Sequence, residues 1–394
     1  MARPKEGAED YDADVVDTWD WDKVFRRLPL SEWDRNLGFE VPYMRNWIKH
    51  ETFDGYWEPA DISKRVQDVD VPGLTMTGWY DIFVSQAFKN VSAMRHHARD
   101  EKGRIQYLVC GPWSHGGRHA RDYGDDSDFD DSSLVRDWLD YWLKGEEMVL
   151  ESIPPYRLFV MGRNEWRTAD QWPLKDTQFT PWYFHSGGSA NTLDGDGTLS
   201  TSKPGDQPAD TYTYDPDDPV PTIGGNHLME APKGAHDQRR AERRKDVLMF
   251  TSEPLKKELE VTGPVRVVLY AASSARDTDW TAKLVVVEPD GTAYNLCDGV
   301  QRARWRESGS ESSLIEPGKV YRYEIDLWVT SNAFLPGHRI RVDISSSNFP
   351  RFDRNPNTGN PFGQDAELMT AEQTVYHNKM YPSHIVLPVI PAEK

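Results

Sequence analysis

The sequence predicts an α/β segment followed by an all-β domain, and three observations carry that reading. A strand, a helix and a second strand fall within about forty residues, beginning near Val71. Beyond about residue 150 the pattern changes to short runs with period-two alternation. Helical periodicity nearly disappears in that second part, where about ten short strands suggest a sandwich or jelly roll.

The elements follow in chain order. Residues 1–66 carry Trp19, Trp21, Phe25, Trp33, Tyr43, Trp47, Phe53, Tyr56 and Trp57 without alternation, so a small helical layer is expected there. "VPGLTMTG" (71–78) is a short apolar run bounded by Pro and Gly and reads as a strand. Phe83, Ala87, Val91 and Met94 then fall on one stripe of a helix, and "RIQYLVC" (104–110) reads as the second strand. Parallel pairing with a right-handed crossover brings the carboxyl ends of both strands to one sheet edge, where α/β enzymes hold their chemistry. "SSLVRDWLDYWLKG" (132–145) predicts a helix capped by Asp131 or Ser132 and ended by Gly145. Leu134, Trp138, Leu139 and Trp142 form its apolar face. Further on, Tyr321, Tyr323, Ile325 and Leu327 alternate with Arg322, Glu324 and Asp326. Ile340, Val342 and Ile344 do the same, and Pro289-Asp290-Gly291 marks a hairpin turn. The Gly-, Ser-, Asp- and Pro-rich stretch 186–223 is expected to be a surface excursion.

Composition narrows the function. The formal charge is −18, from 46 basic and 64 acidic residues. That argues against nucleic acid or an anionic membrane as partner, since phosphate binding needs clustered Lys and Arg. Hydrophobic residues make up 38% and aromatics 12%, enough for a packed core. Two cysteines, Cys110 and Cys297, are too few for a disulfide framework or a Cys-based zinc site, and a buried thiol is expected of Cys110. No apolar run reaches the about 18 residues of a membrane span. The polar, acidic stretch at residues 1–17 does not read as a signal peptide, and a cytoplasmic location is expected.

Asp81 and His115 end the two predicted parallel strands, 34 residues apart. Acid before base, on neighbouring strands, is the chain order of the last two members of an α/β-hydrolase Ser-Asp-His triad. In such a triad the carboxylate fixes the imidazole tautomer and the imidazole relays the serine proton. The alternative is structural: Asp81 caps the following helix and His115 sits in a Gly-Pro turn.

A wider set of motifs resembles one family. "GWYDIFV", "GPWSHGG", "RLFVMGRNEWR" (157–167), "TYDPDDPVPTIGG" (213–225), "DQRRAERRKDVLMFTSEPL" (237–255), "FLPGHRIRVDISSSNFPRFDRNPNTG" (334–359) and "YPSHIVLPVI" (381–390) together resemble the CocE/NonD hydrolases. These are cocaine-esterase-like serine esterases, related to α-amino-acid ester hydrolases and Xaa-Pro dipeptidyl-peptidases. The resemblance implies three parts: a helical cap remnant (1–66), the C-terminal strands and helices of an α/β-hydrolase domain (67–150), and a jelly-roll β-sandwich like the Xaa-Pro dipeptidyl-peptidase C-terminal domain (151–394). It implies Asp81 as triad acid and His115 as triad base, with Phe83, Leu228 and Met229 at or near acyl-pocket positions. It implies no organic cofactor and no catalytic metal.

The family nucleophile sits in a Gly-x-Ser-Tyr-x-Gly elbow upstream of the cap. The one Gly-x-Ser triple here, Gly187-Gly188-Ser189, lies after the acid and base and lacks the closing glycine, so a polar turn is expected. Ser114 adjoins His115 and Ser85 falls within the predicted helix, and neither is placed like an elbow serine. The serine is therefore expected outside this chain, as in a truncated product or one half of a split enzyme. The partners this implies are a small-molecule ester or peptide substrate and an N-terminal hydrolase segment in trans. A homo-oligomer is compatible with it. The competing function is a catalytically inactive binding or assembly module built on the jelly roll.

Other acidic and imidazole clusters read as structural. Asp122, Asp125, Asp126, Asp128, Asp130 and Asp131 lack the EF-hand order and read as a solvated loop. His96, His97 and His119 have no partners at metal-ligand spacing. Glu51 and Asp54 fall in the region where amino-ester relatives hold a substrate ammonium, although Asp54 in "FDGYW" reads equally as structural.

Overall fold

The structure, a computed structural model, describes residues 20–35, 40–116, 121–128, 131–146, 154–229 and 231–392. Short helical elements come first: α1 (Trp21–Phe25), α2 (Pro42–Lys49) and single 3-10 turns at Leu30–Glu32, Glu58–Ala60 and Val66–Asp68. Pro42 occupies the first turn of α2, where its missing N–H costs no helical bond. Buried Asp34 accepts from Val41 N (2.8 Å) and from Arg45 Nε (3.0 Å), which ties α2 to the turn before it. The aromatic residues of this layer are only partly covered, with Tyr43, Trp47, Phe53 and Tyr56 exposed.

A four-stranded sheet follows, ordered β1 (Gly73–Tyr80), β2 (Gln106–Ser114), β3 (Tyr156–Val160), β4 (Glu165–Ala169). The first three strands are parallel and β4 is antiparallel to β3. Helix α3 (Val84–His97) makes the crossover from β1 to β2. Val84, Phe88 and Val91 are buried and Ala87 and Met94 pack half-buried against the same core, so the stripe read from the sequence holds at Ala87, Val91 and Met94 and fails at Phe83. The reason is local: Phe83 is the N-cap residue, outside the helical turn, and is 57% exposed. Phe88 takes the inward position, with its ring 5.5 Å from that of Trp79 and 4.2 Å from that of Trp172.

Strand β2 runs on past Gly111-Pro112 to Ser114, where the sequence suggested a turn. Gly78 pairs with Gly111 and Tyr80 with Ser114, so β2 spends one more residue than β1 over this interval. The resulting bulge takes Pro112, which has no N–H to give a regular ladder. Gly78 is required here by close approach, because a Cβ on it would collide with the Trp113 carbonyl. Strands β3 and β4, both beyond residue 150, complete this sheet, so the all-β part expected from residue 151 begins, in pairing, at the next strand.

The second helix read from the sequence forms as α4 (Asp131–Leu139), prolonged by a π-turn at Asp140–Lys144 and ended by Gly145 at φ +72°. Trp138 is buried as expected, whereas Leu139 is 45% exposed.

The remaining strands are β5 (Gln178–His185), β6 (Thr198–Ser200), β7 (Asp210–Tyr214), β8 (Leu248–Ser252), β9 (Leu259–Ser273), β10 (Asp279–Val287), β11 (Ala293–Arg302), β12 (Tyr321–Phe334), β13 (Arg339–Ser345), β14 (Ala371–Tyr376) and β15 (His384–Ile390). They form one large, mostly antiparallel sheet ordered β11-β10-β13-β8-β6-β5-β15-β9-β14-β7, with β12 on the other edge of β9. The alternation read in β12 buries Tyr323, Ile325 and Leu327 and leaves Arg322, Glu324 and Asp326 exposed. Trp280 of β10 and Tyr323 of β12, both fully buried, approach to 5.7 Å between ring centres. The stretch 186–223 is less irregular than expected, since it supplies β6 and β7.

One continuous apolar core spans both sheets, joining Trp79, Phe88 and Phe159 to Val261, Trp280 and Ile344. The backbone also crosses between them: Met161 N donates to Ser331 O (3.1 Å) and Ala333 N to Met161 O (2.7 Å). Among the described residues no helix is long and apolar enough to cross a membrane.

Candidate active site

The carboxyl ends of β1 and β2 lie side by side because the strands are parallel neighbours, and each end carries one polar side chain. Asp81 follows β1 directly and His115 follows β2. Asp81 Oδ2 and His115 Nδ1 are 3.2 Å apart. A carboxylate oxygen accepts, so Nδ1 carries the proton and Nε2 is left as the basic nitrogen of the neutral ring. Asp81 is mostly covered, at 14% side-chain exposure, while His115 is open at 45%. The carboxylate is thus sheltered and the imidazole accessible.

Asp81 does not cap α3, whose N-cap residue is Phe83 and has no side-chain cap bond, but its other oxygen holds the turn before that helix. Oδ1 accepts the Phe83 N–H at 2.8 Å, which locks the turn before α3 and leaves Oδ2 facing the ring. The turn is closed further by Asp81 N donating to Gly78 O (2.9 Å) and Val84 N donating to Asp81 O (3.2 Å). Phe83 stands edge-on to the His115 ring, 5.6 Å between centres. The exposed Phe83 therefore offers an apolar wall beside the imidazole.

Leu228 and Met229 follow two and three residues after Asn226, which bonds to the acid-bearing turn. The buried Asn226 amide donates to the carbonyls of Trp79 and Asp81, both at 3.0 Å. Leu228 is 49% exposed and Met229 half-buried. His227, between Asn226 and Leu228, is buried; its Nε2–H donates to Pro232 O (3.1 Å), and burial lowers its pKa below the ordinary imidazole range.

Several supporting residues were invisible to sequence reasoning. Trp79 is fully buried, and its indole N–H donates to Phe159 O at 2.7 Å, anchoring β1 to β3. The Tyr80 hydroxyl donates to Asn295 O on β11 at 2.9 Å. The one available signal for Asn226 was the preceding Gly224-Gly225 pair, both at positive φ.

The other candidates behave structurally. Ser189 sits in the turn between β5 and β6, its N–H donating to Ser186 Oγ (3.1 Å), with Gly188 at φ +98°; it is not at a strand-to-helix elbow. Ser85 is buried in α3 and Ser114 is the last residue of β2. Asp54 accepts from His50 Nδ1 (2.7 Å) and Tyr56 N (2.9 Å), and the His50 bond holds its carboxyl below the usual range. Glu51 faces Arg304 at 3.9 Å. Asp122 accepts from Gly124 N at 2.8 Å within its own loop. His96 and His97 are the last two residues of α3, and His119 and Asp130 lie outside the described residues.

Comparison with known proteins adds the wider frame. Residues 1–117 match the X-Pro dipeptidyl-peptidase (S15 family), and residues 148–386 match the X-Pro dipeptidyl-peptidase C-terminal non-catalytic domain. The cocaine esterase of Rhodococcus sp. (strain MB1 Bresler) is 44% identical over 92% of this chain and 64% of its own length. A solved aminopeptidase from a Thaumarchaeota archaeon of marine sediment is 30% identical with a TM-score of 0.76, covering 89% of this chain and 60% of the other. A solved α-amino-acid ester hydrolase is 27% identical with a TM-score of 0.79, over 94% and 64% respectively. The chain therefore spans less than two thirds of the length of each relative.

Proposed function

The chain belongs to the CocE/NonD family of hydrolases, and from that premise we propose that Asp81 and His115 are the acid and base of a Ser-His-Asp triad cleaving ester or amide bonds. The serine comes from a polypeptide segment outside this sequence. The observation that carries the reading is the 3.2 Å approach of Asp81 Oδ2 to His115 Nδ1 across two parallel strand ends, with Nε2 left to meet a hydroxyl.

The chemistry is acyl transfer. The serine proton passes to Nε2 as Oγ bonds to the substrate carbonyl carbon. Collapse of the tetrahedral species breaks the bond to the alcohol or amine, which leaves with that proton. Water repeats the sequence and frees the acid and the serine. Asp81 stabilises the imidazolium in both halves. Phe83, Leu228 and Met229 offer apolar surface for the acyl group.

Two features support completion by another segment. Among the described residues β1 pairs on one side only, which leaves a parallel strand edge open, a situation parallel sheets rarely tolerate. The helical layer leaves Tyr43, Trp47, Phe53 and Tyr56 exposed, as the remnant of an inserted cap would. In this reading the large sheet is the jelly roll of the family.

The test is a fusion of the chain to a Gly-x-Ser-x-x-Gly-bearing hydrolase segment, assayed on a chromogenic ester. Hydrolysis that withstands both Asp81→Ala and His115→Ala defeats the proposal. One observation favours a second reading: residues 148–386 match a domain described as non-catalytic, so this part serves binding or assembly. A calorimetric survey of glycans and other small ligands that finds no binding argues against it.

A further inference from the structure

We propose that Asn226 is a positioning residue for the acid–base pair; this rests on the triad reading above. Its side chain links the segment carrying Leu228 and Met229 to both sides of the Asp81 turn. The Nδ2 group donates to Trp79 O and to Asp81 O, each at 3.0 Å, and Asn226 is 3% exposed. These carbonyls flank Tyr80, and Asp81 is the residue whose carboxylate faces His115. A primary amide carries two N–H donors, so one side chain satisfies two buried acceptors and fixes their separation.

Asn226 is itself held from the large sheet. Gly225 and Gly234 exchange backbone bonds (2.8 and 3.1 Å), which pin the chain immediately before Asn226. Gly225 has φ +91°, a left-handed backbone that glycine adopts without strain. This pairing is bolted to β11 by Asn295, whose Nδ2 donates to Gly234 O (3.2 Å) and whose Oδ1 accepts from His236 N (2.8 Å). The carbonyl of the same Asn295 receives the Tyr80 hydroxyl. Asn295 grips β1 directly through Tyr80 and indirectly through this pairing and Asn226. The acid-bearing turn and the start of the segment that leads to Leu228 and Met229 are thus both held from one residue of β11.

The experiment compares Asn226→Asp with Asn191→Asp in the full chain. Asn191 is the control: its Nδ2 also bridges two carbonyls, Thr211 O (3.2 Å) and Lys245 O (2.8 Å), at a more exposed site in the connection between β5 and β6. The first readout is the downfield proton resonance of His115 Nδ1–H, assigned by its loss in Asp81→Ala. The second is amide exchange in residues 79–84. The proposal predicts that Asn226→Asp abolishes or shifts the resonance and speeds exchange there by about tenfold. Asn191→Asp leaves both unchanged. An unaltered resonance, or unaltered exchange at residues 79–84, in a folded Asn226→Asp protein overturns the positioning role. A wild-type chain without the resonance overturns the acid–base pair and this role together, which separates the two failures. If Asn226→Asp does not fold, Asn226→Ser, which keeps one donor, is read the same way.

Discussion

The Tyr80 hydroxyl donates to the Asn295 carbonyl at 2.9 Å, joining the end of β1 to the first part of β11 beside the continuous core. Both residues are buried, so water cannot replace the donor. Tyr80→Phe is expected to cost about 1–3 kcal/mol, the penalty of a stranded buried carbonyl. Urea denaturation checks it, and a change within a few tenths of a kcal/mol contradicts it.

Aromatic packing in the large sheet sets a second expectation. Phe184 of β5 and Phe250 of β8 are fully buried with ring centres 4.4 Å apart. Phe250→Ala removes that stack and leaves a cavity, at an expected cost of about 3–5 kcal/mol. The midpoint of a denaturant titration, at unchanged slope, measures it.

A buried acidic cluster makes stability depend on pH. Burial pushes Asp343 up to about 8, with the neighbouring Glu242 adding to the effect and Arg341 and Lys283 opposing it. Glu242 is itself raised, first by burial. The folded-state value lies above the unfolded one, so the stability contributed by protonated Asp343 is whole below about pH 4 and is lost as pH rises through 8. Asp343→Asn is expected to flatten the fall in stability between pH 5 and 9. Thermal denaturation across that range reads it, and parallel curves for the two proteins refute the assignment.

Both thiols are predicted to be inert in the folded chain. Cys110 and Cys297 are buried, and burial raises each well above the usual thiol range, suppressing the nucleophilic thiolate. An aromatic disulfide reagent is expected to label neither thiol at neutral pH and both in denaturant. Stoichiometric labelling of the native protein contradicts the burial.

The strand ends bearing Asp81 and His115 were legible because local signals mark them: a short apolar run, then a polar residue, twice. The β12 alternation and the Pro289–Gly291 turn were legible for the same reason. The α3 stripe was legible at Ala87, Val91 and Met94 but wrong at Phe83, an apolar residue that only its N-cap position keeps out of the core. The strand through Gly111-Pro112 was hidden because its irregularity is absorbed by a bulge that depends on Gly78, a residue on another strand. Asn226 was hidden for a deeper reason. It acts 145 residues from Asp81 through backbone carbonyls, which carry no sequence signature.

The most direct measurement is the rate of fluorophosphonate labelling of the serine when a nucleophile-bearing segment is joined to this chain. A working acid–base pair at Asp81 and His115 predicts labelling of the wild type and a fall of roughly 10⁴-fold in His115→Ala, with a large fall in Asp81→Ala as well. Labelling at wild-type speed in both variants would mean that these two residues do not activate the serine.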